Sequence, residues 1–369
     1  MTKVHAYAAP GASQPLEKFV YEANDPQSYE VEVKITHCGV CHSDLNVIDG
    51  NWVDYPCVAG HEIVGTISRC GANVDWLEVG QRVGIGWQAS SCLACEWCIR
   101  GEENLCPNQT LTCVGHYGGF ADTIIADSRF VYPIPDEIPS EQAAPLLCAG
   151  LTVYSPLRDY SVSSESRVGV IGIGGLGHLA LQFARAFGCE VTAFSTTPDK
   201  EAEAKRFGAH RFILSTDAEQ MESTSYTLDF ILCTVNANLN WRPFLKALRP
   251  NGMLCLVGVI AGELRIPAMS LIGNQKSVRG SFIGSRSTMR EMLIFAARHH
   301  ITSQIELLPM SDVNIALEKV RNNQARYRMV LEVEAEPEES ENDLSEISEP
   351  EAIPDAAENG NEELEESGE

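Results

Sequence analysis

The chain has 369 residues, with 51 acids against 27 bases and a formal charge of −24. Its length allows two domains with proper cores, and its apolar content is that of a soluble globular protein. An acidic balance excludes a basic nucleic-acid footprint. With no secretory leader pattern and no apolar stretch long enough for a bilayer, we expect no nucleic-acid or membrane partner and a cytoplasmic location.

Glu30-Val31-Glu32-Val33-Lys34-Ile35 alternates like a half-buried strand, and Ile63–Ile67 and Arg82–Ile85 read as further short strands. The first 150 or so residues are therefore expected to be mainly β. The character changes near Leu151. Strands are expected at Arg167–Ile171, Glu190–Phe194, Leu228–Leu232 and Met253–Val257, with helices at Leu176–Phe187 and around Asp199–Phe207. Strands alternating with helices predict parallel βαβ units with right-handed crossovers, a doubly wound sheet. Two helices, Thr288–His299 and Asp312–Asn322, and a strand at Arg328–Val333 close the folded part.

Residues 334–369 hold sixteen acids and no Lys or Arg, leaving 35 acids against 27 bases, or −8, on residues 1–333. Low hydrophobicity with charge of one sign does not offset the entropy of ordering. The segment is expected to be a disordered acidic tail that solvates the protein; binding a basic partner is its alternative use.

Thirteen cysteines in a large chain without a signal peptide point to metal ligands rather than disulfides. Cys92, Cys95, Cys98 and Cys106 are spaced by two, two and seven residues. Close CxxC steps let one loop wrap an ion, and the longer step returns a fourth thiolate, about 2.3 Å from the metal in a tetrahedral zinc site. A shell filled by four thiolates leaves no place for substrate, so this zinc is expected to be structural.

A second, open site is expected from Cys38-Gly39-Val40-Cys41-His42-Ser43-Asp44, Gly60-His61-Glu62 and Cys148. Catalytic zinc keeps three protein ligands and one free position. Spacing alone leaves Cys38, Cys41 and His42 open as ligands. It also leaves open a Cys38–Cys41 redox pair and a Cys148 that merely packs in the core.

Gly172-Ile173-Gly174-Gly175-Leu176-Gly177 follows a predicted strand and opens a predicted helix, the setting in which GxGxxG carries meaning. Glycines allow the backbone to approach a pyrophosphate, and the helix N-terminus supplies free N–H groups. Where NAD sites usually place a carboxylate on the ribose, this chain has Ser195, followed by Thr196, Thr197, Pro198, Asp199 and Lys200. Hydroxyls and a lysine suit a 2′-phosphate, so NADP(H) is expected over NAD(H).

Together with Tyr55–Gly65 and Gly280–Ser285, these motifs resemble the zinc-dependent medium-chain dehydrogenases/reductases, in the cinnamyl-alcohol-dehydrogenase-like branch. The resemblance covers Val4 to Val333. It implies a GroES-like catalytic domain with two zinc sites over residues 1–152. A Rossmann NADP-binding domain would follow over 153–284, then a return to the catalytic domain over 285–333 and the tail over 334–369. It places catalytic zinc on Cys41, His61 and Cys148, with Glu62 beside the metal and able to enter its shell, and Cys38 outside. Ser43 matches the hydroxyl residue that relays the substrate proton, and Asp44 the residue that supports a ligand. Thr152, the glycine loop, Ser195 to Lys200, Thr234, Gly258, Ser281, Phe282 and Ile283 match cofactor contacts. The implied enzyme interconverts small aldehydes and primary alcohols with NADP(H) and two Zn2+ per chain, as a homodimer. Reduction of activated C=C or C=N bonds is a second implied chemistry, and a non-catalytic zinc-stabilised scaffold is a third use of the fold. Two departures stand out: Asn46 replaces a relay histidine, and the loop Trp52-Val53-Asp54-Tyr55 is about two residues short.

Overall fold

The computed structural model describes residues 1–50, 53–260 and 262–334; Trp52 and the expected tail from Ala335 on lie outside the described residues. Two large sheets organise the chain. Six parallel strands run in the order Arg211–Leu214, Glu190–Ser195, Arg167–Ile171, Leu228–Cys233, Leu248–Leu256, Ser277–Gly280. In chain order this is 3-2-1-4-5-6, the doubly wound Rossmann arrangement, with its switch point between the Arg167 and Leu228 strands. Val168, Val170, Ile231 and Leu232 are fully buried, as expected of parallel strands covered on both faces.

The second sheet has seven strands and forms the GroES-like part. Its central strand, Glu30–Val40, is flanked on one side by Glu62–Cys70 and on the other by Arg328–Glu332, both antiparallel to it. Gly39 pairs with Glu62 and Val40 with Met329. Strand register therefore brings Cys41, Glu62 and Arg328 to one end of the sheet from three distant parts of the chain.

The helix Ala149–Asp159 follows Cys148 and is buried from Ala149 through Leu157. Tyr154 packs on Phe183, Phe187 and Phe295 at centroid distances of 5.4, 5.6 and 5.4 Å, so the helix is gripped by Gly177–Ala186 and Arg286–Arg298. Truncating one such ring typically costs about 3–5 kcal/mol. This packing fixes where Cys148 stands relative to the parallel sheet.

Most boundaries differ from the sequence reading by a few residues. The expected helix at Leu176–Phe187 spans Gly177–Ala186, and the strand expected to start at Met253 starts at Leu248. The segment around Asp199–Phe207 is a 3-10 turn, Pro198–Lys200, followed by a short helix, Glu201–Arg206. Pro198 presets the φ of that first turn.

Candidate active site

Asp44 organises one end of the site. It is fully buried in the first turn of the helix His42–Asp49, where its Oδ2 accepts the backbone N–H of Cys41 at 2.8 Å. Its Oδ1 accepts the N–H of Gly60 at 2.9 Å and lies 2.8 Å from His61 Nδ1. Three donors on one carboxylate lock the positions of Cys41 and His61 together. With Nδ1–H directed at Asp44, Nε2 is the ring nitrogen left for a metal. Gly60 makes the turn at φ +94°, and a Cβ there would strike Phe120 and the Cys38 sulfur.

Nε2 of His61 lies 3.3 Å from Cys148 Sγ, and one ligand atom from each of Cys41, His61, Glu62 and Cys148 lies within 4.8 Å of the others. Cys38 is not in this cluster; it is fully buried, with its thiol directed at the Gly39 carbonyl. The hydrogen bond from Cys148 holds the Cys41 thiol well below the usual range. Burial is the largest single influence on the His61 imidazole and pulls it down, but the charges of Asp44 and Cys148 and the hydrogen bonds to Asp44 and Cys113 together raise it well above its ordinary value. Burial pushes Glu62 up to about 7, against the opposing pull of Arg328. Arg328 Nη2 donates to Glu62 Oε1, while Oε2 is buried without a partner. Trp87 covers the other side of His61, edge-on at 4.7 Å. Asp44, His61 and Cys113 also converge, but they share His61 with this cluster.

The two thiols, one imidazole and the orphaned carboxylate oxygen form the mixed S, N and O set that a zinc with an open position takes. The quartet fits a closed site. Its sulfur–sulfur distances are 3.9 Å (Cys92–Cys98), 3.6 Å (Cys95–Cys98), 3.8 Å (Cys95–Cys106) and 3.6 Å (Cys92–Cys106). Four sulfurs about 2.3 Å from a tetrahedral centre stand about 3.8 Å apart, so the loop is already shaped for the ion. The Ala94 and Cys95 backbone N–H groups lower the Cys92 thiol to about 6, which favours the ligating thiolate.

A cavity of about 1070 Å³ joins the open cluster to the glycine loop. Its wall includes Cys41, His42, Ser43, Asn46, Trp87, Cys148 and Thr152. It continues along Gly172, Gly174, Gly175, Leu176, Ser195, Thr196, Lys200, Thr234 and Gly258 to Ser281, Phe282 and Ile283. His61 and Glu62 are fully buried and off this wall. Of the expected cofactor contacts, Gly177, Thr197, Pro198 and Asp199 are off it too. A Cβ on Gly177 would collide with the Gly172 carbonyl, so this glycine serves close packing of the loop on its helix. Lys200 donates to the Ile173 carbonyl at 2.8 Å, next to the loop.

Sequence reasoning missed Arg328 as part of the site, taking it only as the start of a strand. Its signal was a guanidinium directly at the head of the apolar run Met329–Leu331. Trp87 gave no signal beyond being one aromatic among several.

Residues 27–136 match the alcohol dehydrogenase GroES-like domain, and residues 175–298 match the zinc-binding dehydrogenase family. An aldehyde reductase of Synechocystis is 42% identical over 330 residues, covering 89% of this chain and 98% of that protein. A cinnamyl alcohol dehydrogenase from Sorghum bicolor superposes with a TM-score of 0.86 at 40% identity, covering 90% of this chain and 98% of the other. The Helicobacter pylori cinnamyl alcohol dehydrogenase, solved as a complex with NADP(H), has a TM-score of 0.83 at 30% identity over the same shares. The fold, the two cysteine-containing clusters and these likenesses agree: the chain belongs to the zinc-binding medium-chain alcohol dehydrogenases, in the branch of cinnamyl alcohol dehydrogenases and aldehyde reductases, and is an oxidoreductase.

Proposed function

We propose that the chain interconverts aldehydes and primary alcohols with NADP(H), with one zinc on Cys41, His61 and Cys148 and a second on Cys92, Cys95, Cys98 and Cys106. The observation that carries this reading is a single cleft lined by Cys41, Ser43 and Cys148 as well as the glycine loop, Ser195, Thr196 and Lys200. Zinc and NADP(H), when bound, supply Lewis acidity toward the substrate oxygen and the hydride.

The chain's own residues do the rest. Asp44 fixes the imidazole and the Cys41 loop, so the metal ligands need little rearrangement. The Ser43 hydroxyl, half-buried on the cleft wall, holds the proton that leaves or joins the substrate oxygen. Asn46 cannot carry that proton onward, and His42, exposed on the same wall, offers the nearest imidazole in sequence. Residues 1–152 and 285–333 form the catalytic part and 153–284 the cofactor part in this reading. A cytoplasmic homodimer completes it. The outer edge of the Ser277–Gly280 strand and the nearby exposed Val259, Met269 and Ile272 support the dimer. Among the described residues, no helix is long and apolar enough to cross a membrane.

The test is a panel of aldehydes, cinnamaldehyde and benzaldehyde included, assayed with NADPH and NADH on protein whose zinc is quantified. Two zincs per chain and alcohol products with NADPH are expected. A saturated aldehyde from cinnamaldehyde would shift the reading to C=C reduction. Tight NADPH binding with no turnover of any aldehyde would leave the scaffold role.

A further inference from the structure

Two cations stand side by side at the end of the Glu190–Ser195 strand. Lys200 Nζ is 5.9 Å from the centre of the Tyr327 ring, and the Arg326 guanidinium carbon is 5.7 Å from the same centre. Both side chains line the cleft together with Ser195 and Thr196. Arg326 Nη2 donates to Glu203 Oε2 at 2.8 Å and lies 3.8 Å from Asp199 Oδ2. Tyr327 donates its hydroxyl to the same Glu203 oxygen. The Arg326 side chain is 46% exposed, and its hydrogen bond to Glu203 is open to solvent.

Like charges sharing one wall repel unless an anion lies between them. Burial first and then the neighbouring Arg326 hold the Lys200 ammonium below its ordinary range. Glu203 and Asp199 now stand at one nitrogen of the guanidinium, its Nη2. A phosphate carries up to two charges and offers more acceptor oxygens than one carboxylate, so it is the better partner for a planar fork with a lysine beside it.

We propose that Arg326 determines cofactor specificity by turning from Glu203 to the 2′-phosphate of NADP(H), completing the pocket begun by Ser195, Thr196 and Lys200. This rests on the NADP(H) reading above. Neither sequence spacing nor the resemblance singled out Arg326, because it lies far from the glycine loop in the chain.

The test titrates the zinc-loaded full chain with NADPH and with NADH. Arg326→Gln should raise the NADPH dissociation constant by about tenfold to a hundredfold, the range for losing a charge-assisted pair, and the NADH constant by less than about twofold. Arg326→Lys should recover part of the loss. Glu203→Gln keeps an acceptor for Tyr327 but removes the charge that holds Arg326, and should tighten NADPH by about threefold, a fraction of a charged hydrogen bond. Equal losses for both cofactors in Arg326→Gln would mean a structural role and overturn the inference, as would NADPH binding that does not change. An unaltered NADPH constant in Glu203→Gln would overturn the exchange of partners. A native protein that binds NADH as tightly as NADPH would instead overturn the cofactor reading itself.

Discussion

Arg328 and Glu62, 266 residues apart in the chain, meet as a buried ion pair between two strands that flank Glu30–Val40. The Arg328 side chain also lies beside the glycine loop: a Cβ on Gly175 would meet its Cδ at 2.9 Å and its Nη1 at 3.0 Å. One side chain thus joins the metal cluster to the cofactor loop. Removing one partner of such a pair leaves the other charge buried and uncompensated. Arg328→Met should lower stability by about 3–5 kcal/mol in denaturant unfolding of the zinc-loaded protein, and Glu62→Gln with Arg328→Met should regain most of it. A single variant as stable as the native protein would show that the pair contributes nothing net.

The two cysteine clusters should separate in a metal analysis. Cys148→Ala is expected to retain the quartet's zinc, lose the other, and lower kcat by about a thousandfold or more, the scale of several kcal/mol of Lewis-acid stabilisation. Cys92→Ser should lose the quartet's zinc and melt at a lower temperature. Two zincs retained in Cys148→Ala would rule out our ligand assignment.

Ser43→Ala should reduce kcat by about a hundredfold to ten-thousandfold, with Ser43→Thr close to native. Asn46→His puts an imidazole one helical turn beyond Ser43, on the same cleft wall. Its rate should acquire a dependence on an ionisation near the ordinary histidine range, about 6.5. A Ser43→Ala enzyme with native kcat would move the proton transfer to another group.

Ser195 is buried at the end of its strand, with its Oγ accepting the Thr197 N–H at 3.2 Å. A carboxylate there would meet a 2′-phosphate at close range. Ser195→Asp is expected to weaken NADPH by at least about a hundredfold in kcat/KM and to favour NADH, since like charges in a partly buried site cost several kcal/mol. Unchanged cofactor preference would place the phosphate elsewhere.

His178 gives the stability a pH dependence. It is fully buried, its Nδ1–H faces the Gly174 carbonyl at 3.1 Å, and its Nε2 accepts the Gln304 N–H at 3.3 Å. Burial lowers it from 6.5 to about 3. The unfolded chain therefore binds a proton that the native one refuses between these values. The contribution is fully present above 6.5 and is lost progressively as the pH falls toward 3, by about 1.4 kcal/mol at one unit below 6.5. His178→Gln should flatten this part of the profile; an identical acid slope in native and variant proteins would refute the assignment.

Local chemistry was the most legible in the sequence. Cys92 to Cys106 lie on one loop, and the glycine loop is bounded by its own strand and helix, so spacing alone identified both. Cys41, His61 and Cys148 come from three segments, and choosing Cys41 over Cys38 needed the family resemblance. The Arg328–Glu62 pair depends on strand register, which no local pattern encodes. The helix Ala149–Asp159 was missed because it is buried from Ala149 through Leu157, which leaves no alternation of apolar and polar faces to read, and because it carries Pro156 inside it. The strand Ile305–Pro309 was missed because it is short and ends in proline.

Strand register at the central sheet also sets an order on biosynthesis. The quartet closes on a single loop, so its thiols are all available once residue 106 has left the ribosome. The neighbourhood of Glu62 is incomplete until Arg328, near the end of the folded part, has been made and its strand has paired with Glu30–Val40. In the two-zinc reading, a nascent chain would take up the quartet's ion early, whereas the counter-charge of the open site arrives only with the last strand.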